Sequence, residues 1–274
     1  MLIFFLLTSF MNVTNATEQT NLWTSQTQVL CPTNNLTPDT VIMIHGFAGS
    51  PFDFKPLAEK LFEKGYKIIL PATPGQLKQT YSSKDVDYLP AYYVKWINNL
   101  VSNELDKAKG KVFLVGFSMG GTLSTIAAAS NKIDKLVLLA PFYSLTTANT
   151  FVWKISRVFA FFIRGVPNLT LGAINDPKGN KEYKPGSKVL RLDGYDALEK
   201  LALIAADLIP QIKIPILILG SENDEVASFN KTKELFEEKE NVKIIEYNKS
   251  NHVLLYDYDR DSVISNVIDF LSEN

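Results

Sequence analysis

The chain holds one cysteine, Cys31, and two histidines, His45 and His252, in 274 residues. A lone cysteine excludes an intrachain disulfide. So few thiol and imidazole groups also exclude thiolate zinc clusters and histidine-rich metal sites, and neither a metal nor a cofactor is expected. An excess of charge is missing too: Lys and Arg number 28 against 29 Asp and Glu, a net charge of −1. Such a chain has no bulk electrostatic reason to seek nucleic acid or an anionic bilayer. The apolar run from Leu2 to Met11 is too short to span a bilayer as a helix. What is present is ordinary for a packed domain, with 46% hydrophobic and 21% charged residues; disordered and collagen-like chains are excluded.

The apolar start, followed by the small residue Ala16, reads as a secretory signal with a cleavage site near that alanine. The first Lys or Arg is Lys55, so only the amino terminus supplies positive charge ahead of the run. Residues 1–17 are therefore expected to be a signal peptide or an N-terminal extension. The first places the protein outside the cytoplasm, secreted or periplasmic; the second leaves it cytoplasmic. Residues 18–38 are polar, without an apolar period, and read as a linker or loosely attached arm.

From residue 39 onward the pattern changes. Apolar runs at 41–44, 67–70, 112–115, 136–139, 214–219 and 242–247 have strand length and do not alternate with polar residues, as in a parallel sheet covered on both faces. Helices are expected between them at 56–64, 91–109, 119–130 and 261–271. The first has Pro56 in its opening turn and Gly65 just past its end. Strands alternating with helices imply an α/β fold, a mostly parallel central sheet flanked by helices. The stretch from about 142 to 210 interrupts the alternation. It holds an aromatic helix candidate at 151–163, a Gly/Pro/Asn/Lys-rich segment at 165–187 and a second helix candidate at 198–208. It reads as a cap inserted over the sheet of a domain spanning 39–274.

The chemistry sits where the strand 112–115 runs into Gly116-Phe117-Ser118-Met119-Gly120-Gly121 and a helix follows. This is G-x-S-x-G in the strand–turn–helix context that gives the motif meaning. A serine hydroxyl is a weak nucleophile and must be lifted from the backbone to meet both a base and a substrate carbonyl. Histidine is the usual base near neutral pH, and only His252 lies downstream of the serine, as the order Ser, Asp, His requires. The carboxylate should follow the strand 214–219. Asp224 is best placed there, with Glu222 and Glu225 as competitors, and would hold the imidazole tautomer and stabilise the imidazolium. The oxyanion needs two donors. The Met119 amide sits at a helix N-terminus, and the Phe47 amide lies in the loop after an early strand. His45 would then orient that loop and move no proton.

His45-Gly46-Phe47-Ala48-Gly49-Ser50-Pro51, Pro56-Leu57-Ala58-Glu59, Gly116 to Gly121, and Asn251-His252-Val253 with Asp257-Tyr258-Asp259 together resemble the α/β-hydrolase superfamily and, within it, bacterial monoacylglycerol lipases and carboxylesterases. The resemblance covers residues 41–274 apart from most of the cap. It implies the α/β-hydrolase fold with Ser118 as nucleophile, Asp224 as acid, His252 as base, and the Phe47 and Met119 amides as the oxyanion hole. Two departures stand out. Thr73-Pro74-Gly75-Gln76 replaces the usual Gly-His-Gly, and the acid loop Asp224-Glu225-Val226-Ala227 lacks the proline that often follows the valine. A serine at 118 also excludes the dehalogenase and epoxide hydrolase branches, which carry aspartate there.

The cap residues Phe151, Trp153, Phe159 and Phe162 belong to a segment apolar on nearly all sides. Such a segment packs on the sheet edge, lines an acyl-chain tunnel or faces lipid at a transient surface contact. A substrate-binding role favours a monoacylglycerol, a lysophospholipid or another apolar ester. Three rivals to the ester hydrolase remain: an acyltransferase with the same triad, a peptidase using Asp193 or Asp196 to hold a substrate amine, and an idle binding module.

Overall fold

The computed structural model describes residues 26–33, 37–76, 89–146, 165–167, 173–187 and 189–273. Seven strands form the main sheet: β1 (Gln28–Leu30), β2 (Thr40–Ile44), β3 (Lys67–Leu70), β4 (Val112–Phe117), β5 (Lys135–Leu139), β8 (Ile216–Ser221) and β9 (Val242–Tyr247). Their spatial order is β1-β3-β2-β4-β5-β8-β9. All neighbouring pairs are parallel except β1 with β3.

The unbroken apolar runs follow from this placement. Successive strand residues point to opposite faces, and both faces are covered. Ile42, Ile44, Leu114, Leu136, Leu138, Ile216 and Ile218 enter one core cluster; Val41, Met43, Phe113, Val115, Val137, Leu139, Leu217 and Leu219 enter the other. The first face is covered by α2 (Pro90–Leu105), α3 (Met119–Ser130) and α5 (Leu192–Leu208), through residues such as Ile97, Leu123 and Leu201. The second is covered by α1 (Lys55–Glu63) and α7 (Arg260–Ser272), through Leu57, Leu61, Val263 and Val267. Gly65, at φ 90°, ends the turn after α1 in a conformation that glycine adopts without a Cβ penalty.

Two expectations need correction. The arm is not loose throughout. Residues 28–30 pair antiparallel with β3, in the register Gln28 to Leu70 and Leu30 to Ile68, because Val29 and Leu30 have apolar surface to bury. The helix expected at 198–208 begins at Leu192, and its buried face joins the same cluster as α3. It is part of the domain's helical layer, packed beside α3 on the first face of the sheet. The glycine- and proline-rich segment contains regular structure: β6 (Gly165–Pro167) pairs antiparallel with β7 (Val189–Arg191), and α4 (Pro177–Glu182) lies between them. Helix α6 (Phe229–Phe236) follows the acid loop and was not expected.

Strand order reverses around β2: β3 lies on one side of it and β4 on the other. A crevice opens at the carboxyl ends of strands at such a switch point. The loop after β2 and the turn after β4 both end there.

Candidate active site

Ser118 stands between β4 and α3 at φ 52°, ψ −119°. A non-glycine residue there carries strain of about 1–2 kcal/mol. Tight backbone packing holds it. The Ser118 amide donates to the Leu139 carbonyl at 3.0 Å, and its own carbonyl accepts from Gly121 and Phe142 at 2.9 and 3.1 Å. Glycine is required on both sides: a Cβ on Gly116 would sit 2.6 Å from the Gly120 carbonyl carbon, and one on Gly120 would sit 2.8 Å from the His45 carbonyl oxygen.

The base and the acid arrive from distant loops. His252 Nε2 lies 3.0 Å from Ser118 Oγ, and its Nδ1 lies 2.7 Å from Asp224 Oδ2. With the carboxylate facing Nδ1, that nitrogen carries the proton and Nε2 accepts the serine O–H. The other Asp224 oxygen accepts the Val226 and Ala227 amides at 2.8 Å each. All three side chains are buried. The Phe117 ring packs 5.0 Å from the imidazole, centroid to centroid. Glu222 and Glu225, the competing carboxylates, are exposed.

His45 plays another part. It is fully buried, its Nδ1 donates to the Gly46 carbonyl at 2.9 Å, and its Nε2 accepts the Thr73 amide at 2.9 Å. Burial lowers its pKa from 6.5 to about 4, so it is neutral near pH 7. Both nitrogens are engaged in fixing the loop after β2.

That loop spans residues 46–50. Gly46 and Ser50 donate to Asp53, Ala48 donates to Gln76 Oε1 at 2.8 Å, and Gly49 donates to the Gly46 carbonyl at 3.1 Å. Among the described residues, the amides of Phe47 and Met119 have no acceptor. They are the two donors expected to face a substrate oxyanion.

Four residues support the site: Gln76, Asn251 and Asp257 belong to motif segments of the sequence that assigned them no role, and Asp53 belongs to none. Gln76 also donates to the Tyr93 hydroxyl at 2.9 Å, which in turn donates to the Pro74 carbonyl. Asn251 Oδ1 accepts both the Glu225 amide at 3.0 Å and the His252 amide at 2.8 Å, tying the acid loop to the base loop. Asp257 accepts the amides of Asn175, Asp176, Asn251 and Tyr258 at 2.7–2.8 Å. Asp53 lies beneath the loop 46–50, three residues after Ser50. That Ser-x-x-Asp spacing is a capping-box pattern, and the box is formed.

The ends of the inserted region are built into the same loops. On the entering side, Ser228 donates to the Ser144 carbonyl at 2.9 Å, Leu145 bridges Ala227, and Thr146 Oγ1 donates to the Glu225 carbonyl at 3.0 Å. On the returning side, Val253 donates to the Ala173 carbonyl at 3.0 Å, and Asp257 holds Asn175 and Asp176. Phe151, Trp153, Phe159 and Phe162 lie outside the described residues. Asp193, one of the two candidates for the carboxylate a peptidase would use to hold a substrate amine, is exposed and engaged by buried Arg191.

The family model described as "Serine aminopeptidase, S33" matches residues 37–259, which include all of these loops. The chain belongs to that family. This S33-family protein is an α/β-hydrolase and a serine hydrolase. It is 26% identical to a thermostable monoacylglycerol lipase of Bacillus sp. (strain H-257) over 253 residues, 86% of this chain and 92% of that one. Solved structures share its fold. A soluble variant of monoglyceride lipase from Saccharomyces cerevisiae, in complex with a substrate analogue, matches with a TM-score of 0.72 at 15% identity, covering 90% of each chain. The monoacylglycerol lipase of Paleococcus ferrophilus matches with a TM-score of 0.67 at 18% identity, covering 89% of this chain and 97% of that one.

Proposed function

We propose that this S33-family protein hydrolyses carboxylic esters with an apolar acyl chain, in the manner of a monoacylglycerol lipase or carboxylesterase, through an acyl-enzyme on Ser118. The observation that carries the reading is the continuous line from Asp224 Oδ2 to His252 Nδ1 and from Nε2 to Ser118 Oγ, at 2.7 and 3.0 Å. In the first half-reaction Oγ attacks the ester carbonyl and its proton passes to Nε2. The oxyanion takes the Phe47 and Met119 amides, and the alcohol leaves with the proton from Nε2. In the second half-reaction water is deprotonated at Nε2, attacks the acyl carbon and releases the carboxylic acid.

The monoacylglycerol lipase relative favours glycerol monoesters, and the aromatic segment 151–163 favours a long acyl chain. The apolar N-terminus supports action outside the cytoplasm. A second reading, aminopeptidase, rests on the family description. It needs a carboxylate free to bind the substrate amine, and the pairing of Asp193 with Arg191 weighs against it.

A panel of p-nitrophenyl esters of increasing chain length, monoacylglycerols and aminoacyl p-nitroanilides decides between the two, with released fatty acid measured directly. Ester turnover that rises with chain length is expected, together with loss of about 10⁶ in kcat in Ser118→Ala. Faster turnover of the anilides would establish the peptidase, and an active Ser118→Ala would end both readings.

A further inference from the structure

Asp53 is a buried carboxyl, 2% exposed, that none of the steps above uses. Three donors converge on it: the Gly46 amide on Oδ2 at 3.3 Å, and the Ser50 amide and the Tyr183 hydroxyl on Oδ1 at 3.4 and 3.1 Å. Gly46 and Ser50 are the two ends of the loop that carries the Phe47 amide, so one carboxylate holds both ends. Between them the peptide unit joining Gly46 and Phe47 is pinned by its carbonyl oxygen, which accepts from Gly49 and from His45 Nδ1. In a trans peptide the N–H points opposite the C=O. The direction of the Phe47 amide is thus set by what fixes Gly46. The carboxylate is packed directly against the loop, since a Cβ on Gly49 would lie 3.0 Å from its carboxyl carbon.

We propose that Asp53 is a positioning residue: its ionised carboxylate clamps the loop 46–50 so that the Phe47 amide faces the reacting carbonyl. This rests on the reading of Phe47 as an oxyanion donor.

Two partners of Asp53 are backbone amides that can only donate, and the Tyr183 hydroxyl donates to it as well, so the site suits an acceptor with no proton of its own. A protonated Asp53 would turn an O–H toward groups that also donate, and the clamp would loosen. Burial pushes its pKa up from 3.8 to about 7, against the opposing pull of the Gly46, Ser50 and Tyr183 hydrogen bonds and the charge of His252. The other titratable groups around it are Tyr183, held protonated by burial; Tyr256, raised in part by Asp53 itself; and neutral His45. Lys55 and Lys184 lie over the adjacent Phe52 ring. Loss of the Asp53 charge therefore falls within the working pH range and should leave its mark on the pH profile.

The test is the pH dependence of kcat/KM on a short activated ester, for wild type, Asp53→Asn and Tyr183→Phe, with thermal unfolding of each protein recorded alongside. In wild type the acid limb should fall more steeply than one log unit per pH unit where Asp53 takes up its proton. In Asp53→Asn the limb should fall by one, with kcat lowered about tenfold or more at pH 8 and KM little changed; complete loss of an oxyanion donor costs about 10²–10³. Tyr183→Phe removes a hydrogen bond that favours the charged carboxylate, so its acid limb should move to higher pH. This variant keeps the carboxylate and carries the test alone if Asp53→Asn does not fold. Superimposable acid limbs in the folded proteins would overturn the proposal. An active Ser118→Ala would instead overturn the underlying function, so the two failures are distinguishable.

Discussion

The amide of Thr73 donates to Nε2 of His45 at 2.9 Å, which reserves that nitrogen as an acceptor. Protonating His45 must break this bond and place a charge in the core. Its folded-state pKa, about 4, lies below the 6.5 of an ordinary histidine. A depressed pKa means stability that is complete above the unfolded value and lost as pH falls toward the folded one. The gap corresponds to roughly 3 kcal/mol at about 1.4 kcal/mol per unit. Asp53 acts with the opposite sign: its raised pKa favours the fold at low pH and loses that contribution as pH rises toward 7. The readout is therefore the difference between wild type and His45→Gln in urea unfolding from pH 7 to pH 4. Wild type should lose its advantage over that range, and a constant difference would contradict the account.

The strain at Ser118 predicts an ordering of inactive variants. Ser118→Gly relieves the positive φ and Ser118→Ala does not, so the glycine variant should be the more stable by about 1 kcal/mol. Thermal denaturation of the two checks this; equal stability would mean that the turn is not strained.

Asp224→Asn keeps an oxygen for the Val226 and Ala227 amides but presents an N–H to His252 Nδ1, which favours the wrong tautomer. A loss of about 10⁴ in kcat is expected, with the fold intact. Glu222→Gln and Glu225→Gln, at exposed positions, should stay within a few-fold of wild type. Steady-state kinetics of the three variants, with circular dichroism as the control, measures both expectations.

Gln76→Leu strands the Ala48 amide and removes a donor from the Tyr93 hydroxyl. A buried amide left without an acceptor costs about 1–3 kcal/mol. Because Ala48, at φ 53°, neighbours the Phe47 peptide, kcat should fall while KM stays near its wild-type value. A variant that changes KM alone would place Gln76 in substrate binding instead.

The sheet was legible because strands buried on both faces carry unbroken apolar runs, as at 112–115 and 216–219. The serine turn was legible because Gly116 and Gly120 meet backbone that leaves no room for a Cβ, a constraint that survives in sequence as a fixed spacing. Strand β1 was hidden: three residues starting with Gln28 carry no period. The start of α5 was hidden because Asp193, Gly194 and Asp196 read as loop, although Leu192 and Gly194 are buried on the core side. Asp53, Gln76 and Asn251 act through side-chain hydrogen bonds to backbone amides, and no pattern in the sequence shows which amides those are. Only the Ser50–Asp53 spacing gave a local sign.

The inserted stretch is socketed at both ends into the working loops, one end on the segment after Asp224 and the other on the segment after His252. It can therefore be exchanged as a cassette only between these sockets. A graft that keeps residues 143–146 and 173–176 inherits an intact charge line beneath it, whereas one that trims either end pulls on the acid or the base before it alters what the protein recognises.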